Sequence, residues 1–232
     1  MPFIIALATT LFLVPQAAQE AGTLKSQKER LSYALGADLG AQLRRQSVEV
    51  DPAVFGKGLS DALSSGKTLM TEEEIKATIA ALQTELQQRQ AQAAKAAADV
   101  NRKAGAAFFA ENGKKEGVVS LPSGLQYKIL KAGDGKKPAA TDAVVCHYRG
   151  TLLDGTEFDS SYKRGQPASF PVSGVIKGWT EALQLMPVGS TWQLFIPSSL
   201  AYGERGAGPT IGPNATLIFE VELISIKEKS ED

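Results

Sequence analysis

Hydrophobic positions in the first part of the chain recur with a helical period. A capping box formed by Ser26 and Glu29 predicts the start of a helix that ends near Gln46. Its leucines lie four residues apart, which puts them on one face of the helix: Leu31, Leu35, Leu39 and Leu43. The pattern therefore predicts an amphipathic first helix.

A second, shorter amphipathic helix is predicted after Asp51. This residue is suited to the N-cap position, and Pro52 follows it at the first helical position, where a proline is tolerated. The helix is expected to stop at Gly66. Its apolar positions are Val54, Phe55, Leu59 and Leu63.

The third predicted helix is very long. A capping box of Thr71 and Glu74 starts it, and no proline interrupts the chain before Asn112 and Gly113. A helix of about 40 residues is roughly 60 Å long, more than a small domain can cover. Its apolar stripe is confined to the first turns, at Ile75, Ile79, Leu82 and Leu86, and its middle is rich in alanine and glutamine.

The apolar faces of these helices exceed what the helices can bury among themselves. We therefore expect residues 22–70 to form a helical dimerisation region that packs against a second copy of the chain. Residues 71–113 would connect it to the rest of the protein. The alternative is a solvated single helix with a small three-helix cap.

After Gly117 the hydrophobic period changes to two, as in β-strands. Four segments have this pattern, and turns rich in glycine and proline separate them: "GLQYKIL", "VVCHYRGTL", "STWQLFIP" and "ATLIFEVELISI". One helix of about ten residues is predicted in "VIKGWTEALQLM", before Pro187. Residues 114–232 are therefore predicted to form an α+β domain, with an antiparallel sheet and one short helix.

Composition excludes several classes of function. Lys plus Arg equals Asp plus Glu at 25 each, so the basic excess of a nucleic-acid-binding protein is missing. With one histidine, His147, and one cysteine, Cys146, neither a zinc site nor a disulfide is expected, and no cofactor is predicted. No nucleophile motif accompanies His147. Cys146 is expected to be a small buried residue of a strand.

The N-terminus has the layout of a secretory signal peptide. Residues 2–18 carry no charge and combine a short apolar run with small residues. A basic start is missing, because the first basic residue is Lys25. We expect residues 1–21 to be a signal peptide and the protein to be periplasmic or otherwise exported; the alternative is a buried N-terminal helix.

The second half of the chain closely resembles the FKBP-type peptidyl-prolyl cis-trans isomerases. Three segments between Leu125 and Ile226 carry the resemblance: "VVCHYRGTLLDGTEFDSS", "GVIKGWTEALQLMPVGSTWQLFIPSSLAYGERG" and "IGPNATLIFEVELISI". The helical part, with "LSYALGADLG" and "TEEE", is similar to the arm of the Mip-like and FkpA-like subgroup. The resemblance implies a half-wrapped sheet around one helix, with a hydrophobic pocket for the proline of an X-Pro peptide.

The resemblance also implies roles for individual residues. Trp179 would be the pocket floor, and its walls would be Tyr148, Phe158, Val175, Ile176 and Phe219. The N–H of Ile176 and the hydroxyl of Tyr202 would bond the carbonyl groups of the substrate. Asp159 would lie at the rim, held by Arg164 and Tyr148, and Ile211 would contact the substrate.

Two positions depart from the common pattern of the family. Ala168 stands where an aromatic residue often closes the pocket, and Ala207 stands where a histidine is frequent. Both changes are expected to open the pocket edge. We expect them to change peptide preference and the binding of macrolide inhibitors, which the resemblance suggests as ligands, more than they change activity.

The function implied is isomerisation of X-Pro bonds in exported, unfolded or partly folded clients, by a homodimer that also has chaperone activity. A second hypothesis is a dimeric holdase chaperone in which isomerisation is incidental. A third is a coiled-coil adaptor with an inactive domain, against which the retained pocket residues argue. Asp159 has no partner for acid–base catalysis, which suits a reaction that moves no proton.

Overall fold

A computed structural model describes residues 24–64 and 66–227. The signal peptide predicted at residues 1–21 lies outside the described residues. The chain divides between Ala77 and Thr78 into two compact units. In the part of the chain described, no helix is both long and apolar enough to cross a membrane.

The described part of the first unit contains two helices and the first turns of a third. Helix α1 spans Gln27–Arg45 and α2 spans Pro52–Leu63. The predicted capping box is present, since the Ser26 hydroxyl accepts from the N–H of Glu29 and the Glu29 carboxylate accepts from the N–H of Ser26. The Asp51 carboxylate caps α2. Both predicted helices are confirmed, although α2 ends three residues before Gly66.

The apolar faces of this unit are solvent-exposed. Neither α1 nor α2 contains a single buried residue. Exposed fractions are 58% for Leu31, 64% for Leu35 and 63% for Val54. Single exposed leucines are ordinary, but amphipathic helices without any buried position have no partner for their apolar faces within residues 24–64 and 66–227.

The long helix α3 is confirmed as one uninterrupted element, Glu72–Asn112, of 41 residues. Thr71 and Glu74 form the predicted capping box at its start. Its last turns pack on the sheet of the second unit. Phe108 lies 5.6 Å from Phe195 between ring centroids, and the side-chain amide of Asn112 donates to that of Gln126 at 3.0 Å.

The second unit contains a seven-stranded antiparallel sheet in the order β1-β2-β6-β7-β3-β4, with β5 paired to the first half of β3. The strands are β1 Val118–Ser120, β2 Gln126–Lys131, β3 Ala143–Thr151, β4 Glu157–Ser160, β5 Ala168–Pro171, β6 Thr191–Ile196 and β7 Leu217–Lys227. In β7, Leu217, Phe219, Val221 and Leu223 are buried and the glutamates between them are not. The α+β prediction is therefore confirmed.

One α-helix, α4 (Lys177–Leu183), packs against the apolar face of the sheet. It has seven residues rather than the ten predicted, because Ile176 is still extended and the helix ends at Leu183, four residues before Pro187. Gly178 allows α4 to approach β6 closely: a Cβ there would lie 2.5 Å from Cγ2 of Ile196. Cys146 is completely buried in this core, as expected, and burial raises the pKa of its thiol to about 12.

Candidate active site

A cleft of about 570 Å³ lies between α4 and the concave side of the sheet. It is lined by Tyr148, Phe158, Asp159, Phe170, Gly174, Val175, Ile176, Trp179, Tyr202 and Phe219. Eight of the ten residues predicted from the sequence are among them. The other two, Arg164 and Ile211, lie elsewhere.

Aromatic rings packed edge to face form the floor of the cleft. The ring of Trp179, only 3% exposed, is T-shaped to Tyr148 and to Phe219, each at 5.2 Å, and to Phe170 at 5.7 Å. Phe158 and Phe219 are also perpendicular, at 5.4 Å. Each ring restrains its neighbours, so the arrangement is a preformed apolar box rather than a loose patch.

Phe170 is a residue that the sequence analysis missed. The family comparison placed an opening at Ala168, two residues before it. Both lie on β5, where alternate residues face the same side of the sheet. Ala168 packs against the core beside Cys146, and Phe170 reaches the cleft. Phe170 therefore adds an aromatic side chain to the cleft lining, and the aromatic in the short strand "ASFP" was the available signal.

Gly150 is a second missed residue. It lies on β3 directly beneath the pair of Phe158 and Phe219. A Cβ at this position would lie 2.7 Å from ring atoms of both phenylalanines, closer than carbon atoms approach in folded proteins. Only glycine allows the two rings to meet here.

Asp159 lies at the rim of the cleft in a network of three polar side chains. The Tyr148 hydroxyl donates to Oδ2 of Asp159 at 2.6 Å, and Arg164 donates to both Asp159 and the Tyr148 oxygen. The Arg164 guanidinium also lies 5.3 Å from the centre of the Tyr148 ring. Arg164 therefore contacts Asp159 and Tyr148, the arrangement that the resemblance implied, and does not itself line the cleft.

The network lowers the pKa of Asp159. Partial burial alone would raise this pKa, but the hydrogen bonds from Tyr148 and Arg164 and the charge of Arg164 outweigh it. Burial and the hydrogen bond to Asp159 raise the pKa of the Tyr148 hydroxyl. The carboxylate therefore stays ionised and the phenol stays neutral near pH 7.

Polar groups at the cleft without a partner among the described residues include the buried indole N–H of Trp179 and two groups at the edge of the cleft. The N–H of Ile176, just before α4, donates to none of the acceptors in residues 24–64 and 66–227. The hydroxyl of Tyr202, a residue that is 41% exposed, is likewise unbonded within those ranges. Both groups remain available to a peptide.

The remaining candidates lie outside the cleft. Ile211 is 8% exposed and belongs to the core, where its backbone pairs with that of Ala207. Ala207 is in the same loop and does not line the cleft. His147 lies on the outer side of the sheet, bonded to the hydroxyl of Ser161 at 3.0 Å and stacked on Tyr162. It is remote from the aromatic floor.

Comparison with known proteins agrees with this geometry. Residues 134–224 match the family described as FKBP-type peptidyl-prolyl cis-trans isomerase, and residues 28–129 match the domain amino terminal to it. The chain is 49% identical over 212 residues to the Outer membrane protein MIP of Legionella longbeachae, covering 91% of each chain. It is 45% identical to the FKBP-type 22 kDa peptidyl-prolyl cis-trans isomerase of Escherichia coli, over 88% of this chain and 98% of that protein.

A solved structure extends the similarity to three dimensions. The crystal structure of FkpA from Escherichia coli superimposes with a TM-score of 0.67 at 36% sequence identity, covering 88% of this chain and 99% of that one. Both the helical part and the sheet are thus within the matched region. The chain belongs to the FKBP-type peptidyl-prolyl cis-trans isomerases, in the subgroup of the Mip-like and FkpA-like proteins.

Proposed function

We propose that this isomerase binds the proline ring of an X-Pro segment in the aromatic cleft, and that its clients are exported proteins that are unfolded or partly folded. The observation that carries the proposal is the rigid apolar floor around Trp179 next to two unbonded polar groups. A proline ring fits such a floor, and a peptide supplies carbonyl groups for the polar edge.

The reaction requires rotation about an amide bond and no transfer of a proton. Amide resonance opposes the rotation with a barrier of about 18–20 kcal/mol. The twisted transition state has lost this resonance and is less dipolar than either planar state. Water solvates the planar amide better than an apolar cleft does, so transfer into the cleft favours the twisted state.

Different residues of the cleft would bind the proline ring and the carbonyl groups of the peptide. Trp179, Phe158 and Phe219 hold the proline ring, with Tyr148 and Val175 beside them. The N–H of Ile176 and the hydroxyl of Tyr202 bond the carbonyl groups that flank the proline. These bonds orient the peptide so that one part is fixed while the other turns.

Asp159 would shape and polarise the rim rather than act as a base. Replacing it by Asn keeps the size and one acceptor oxygen but removes the charge opposite Arg164. We expect Asp159→Asn to lower kcat/KM by about three- to tenfold, the effect of one or two weakened hydrogen bonds. A peptide isomerisation assay over a range of pH measures this loss.

The pH dependence distinguishes a rim residue from a base. Because the pKa of Asp159 is lowered on folding, its contribution to stability is present above the unfolded carboxyl value of 3.8 and is lost as the pH falls through the lower folded pKa. Because the Asp159 carboxylate stays ionised over this range and transfers no proton, the kcat/KM of the wild-type protein is expected to be flat from about pH 5 to about pH 8. A loss in Asp159→Asn of about a thousandfold, or a wild-type profile that titrates like a carboxylate, would contradict this role.

Three features support export and a homodimer with chaperone activity. A relative covering 91% of this chain is named an outer membrane protein. Residues 2–18 have the composition of a signal peptide. The exposed apolar faces of α1 and α2 suit either a second copy or an unfolded client. The same faces favour the second candidate function, a dimeric holdase in which isomerisation is incidental.

Refolding of a protein limited by X-Pro isomerisation tests the proposed activity on clients. With the full chain present at a tenth of the client concentration, we expect the slow refolding phase to accelerate by at least about tenfold. A macrolide of the class that binds this family should remove the acceleration if it occupies the same cleft. An unchanged slow phase, together with activity on short peptides, would restrict the enzyme to peptides and favour the holdase.

A further inference from the structure

A loop that follows Tyr202 is attached to the long helix α3. The side-chain amide of Asn101, in α3, donates to the backbone oxygen of Pro213 at 2.8 Å. The approach is close, since a Cβ at Gly212 would lie 3.3 Å from the same amide nitrogen. A residue of the connecting helix thus holds a loop of the isomerase domain.

The attached loop is internally rigid and leads back to the cleft. The N–H of Asn214 donates to the oxygen of Gly203 at 2.8 Å, which closes the loop directly after Tyr202. Within it, Ala207 and Ile211 exchange two backbone hydrogen bonds. A displacement of Pro213 is therefore transmitted across one hydrogen bond to the residue next to Tyr202.

The contact between the loop and α3 is not continuous around this hydrogen bond. Beside the hydrogen bond, the two elements leave a gap of about 290 Å³. It is lined by small or charged residues on the helix side: Ala94, Lys95, Ala98, Asp99 and Arg102. The Asn101 amide is therefore a hydrogen-bonded link to the loop itself, whereas direct packing follows one turn later, where a Cβ at Gly105 would lie 2.6 Å from Oγ1 of Thr216.

We propose that Asn101 is a positioning residue for isomerisation, which acts by holding Tyr202 at the edge of the cleft. The Tyr202 hydroxyl has no hydrogen bond of its own among the described residues, and the residue is 41% exposed. Its position is therefore set by its backbone, which Leu200 and Ala201 hold against the core on one side and the loop holds on the other. The inference rests on the proposed role of Tyr202 as a substrate contact, and it makes α3 a part of the active-site support.

The helix itself does not require asparagine at this position. Asn101 lies in an alanine-rich part of α3, and alanine is the better helix former. Asn101→Ala therefore removes the bond to Pro213 without weakening the helix. A matched control is Gln92→Ala, which removes an exposed amide from the same helix at a position that does not line the gap.

The test is a double-mutant cycle in the full chain with a proline peptide as the substrate. We expect Asn101→Ala to lower kcat/KM about fivefold, the effect of one hydrogen bond, with an unchanged thermal midpoint, and Gln92→Ala to have no effect. In the background of Tyr202→Ala, Asn101→Ala should cost less than about twofold, because the group that it positions is gone. Asn101→Asp, which keeps the shape but not the donor, should behave like Asn101→Ala.

The outcomes separate this inference from the proposed role of Tyr202. If Tyr202→Ala is fully active, the role of Tyr202 fails and the inference fails with it. If Tyr202→Ala loses activity but Asn101→Ala does not, only the positioning role is wrong. A fivefold loss that persists in the Tyr202→Ala background, or one accompanied by a lower thermal midpoint, would also overturn the inference, because Asn101 would then act through general structure.

Discussion

Replacing Phe158 by alanine is expected to lower kcat/KM for a proline peptide by about 30-fold or more while leaving suppression of client aggregation unchanged. The ring is half-buried in the cleft wall, perpendicular to Phe219. Its removal deletes apolar surface that a bound proline would contact, and about 2 kcal/mol of lost burial corresponds to roughly 30-fold. Peptide isomerisation and light scattering from an aggregating client measure the two activities on the same sample.

The control must separate the loss of this ring from the loss of any nearby aromatic. Tyr162 suits the purpose, because it follows the same strand, β4, but stacks on His147 on the outer side of the sheet. Tyr162→Ala should leave kcat/KM within about twofold of the wild type, as for a surface substitution away from the site. Equal losses in the two variants would mean that the assay reports on the stability of this region rather than on the cleft.

The experiment also decides between the two proposed functions. A holdase in which isomerisation is incidental protects clients through apolar surface that Phe158 does not provide. If Phe158→Ala loses isomerisation and client protection together, clients are held in the cleft itself. If it loses neither, the cleft is not where the reaction takes place, and the proposed assignment of the site is wrong.

Regular periodicity explains which elements the sequence could predict. The strand β7 is 11 residues long, so several alternations mark its buried face, and α3 has a capping box and 41 residues without a proline. The strands β1, β4 and β5 have only three or four residues each. A period of two cannot be recognised over so short a segment, so these strands depend on their pairing with β2 and β3.

The same reasoning accounts for the parts of the cleft that the sequence did not disclose. Eight of the residues that line the cleft could be predicted from the sequence, because they lie in distinctive motifs. Phe170 was missed because it lies on one of the short strands, two residues from the position that was compared. The need for glycine at position 150 appears only when Phe158 and Phe219 come from two other strands to meet above it. The link from Asn101 to Pro213 joins positions 112 residues apart, beyond the reach of any local pattern.

The long helix changes how the isomerase domain should be delimited. A fragment that begins near Gly117 would lack the turns of α3 that contact the sheet. Phe108 would no longer cover Phe195, and the buried amide of Gln126 would lose Asn112 and the oxygen of Phe109. Buried polar groups without partners are costly, so activity measured on such a fragment would mix catalysis with stability. The full chain is the appropriate form for each assay.

Replacing Leu35 by glutamate is expected to dissociate the proposed dimer into monomers. Leu35 is 64% exposed in the single chain and shares a face of α1 with Leu31 and Leu39. In a monomer, a charge at such a position changes stability by no more than about 0.5 kcal/mol. In a dimer that buries this face, an unpaired carboxylate costs several kcal/mol, enough to dissociate the two copies at micromolar concentration.

Light scattering of the full chain measures the mass, and circular dichroism checks that the helices persist. Ala37→Glu is the matched control, because residue 37 lies on the opposite face of α1 and the same charge there should leave the proposed dimer intact.

The monomeric Leu35→Glu protein should keep its activity on short peptides, because the cleft lies in the other unit of the chain. It should lose client protection if protection needs two copies. A specific dimer with a dissociation constant near 1 µM would be mostly assembled at about 10 µM. A wild-type protein that is monomeric at that concentration would therefore favour the alternative, a solvated single helix with a three-helix cap.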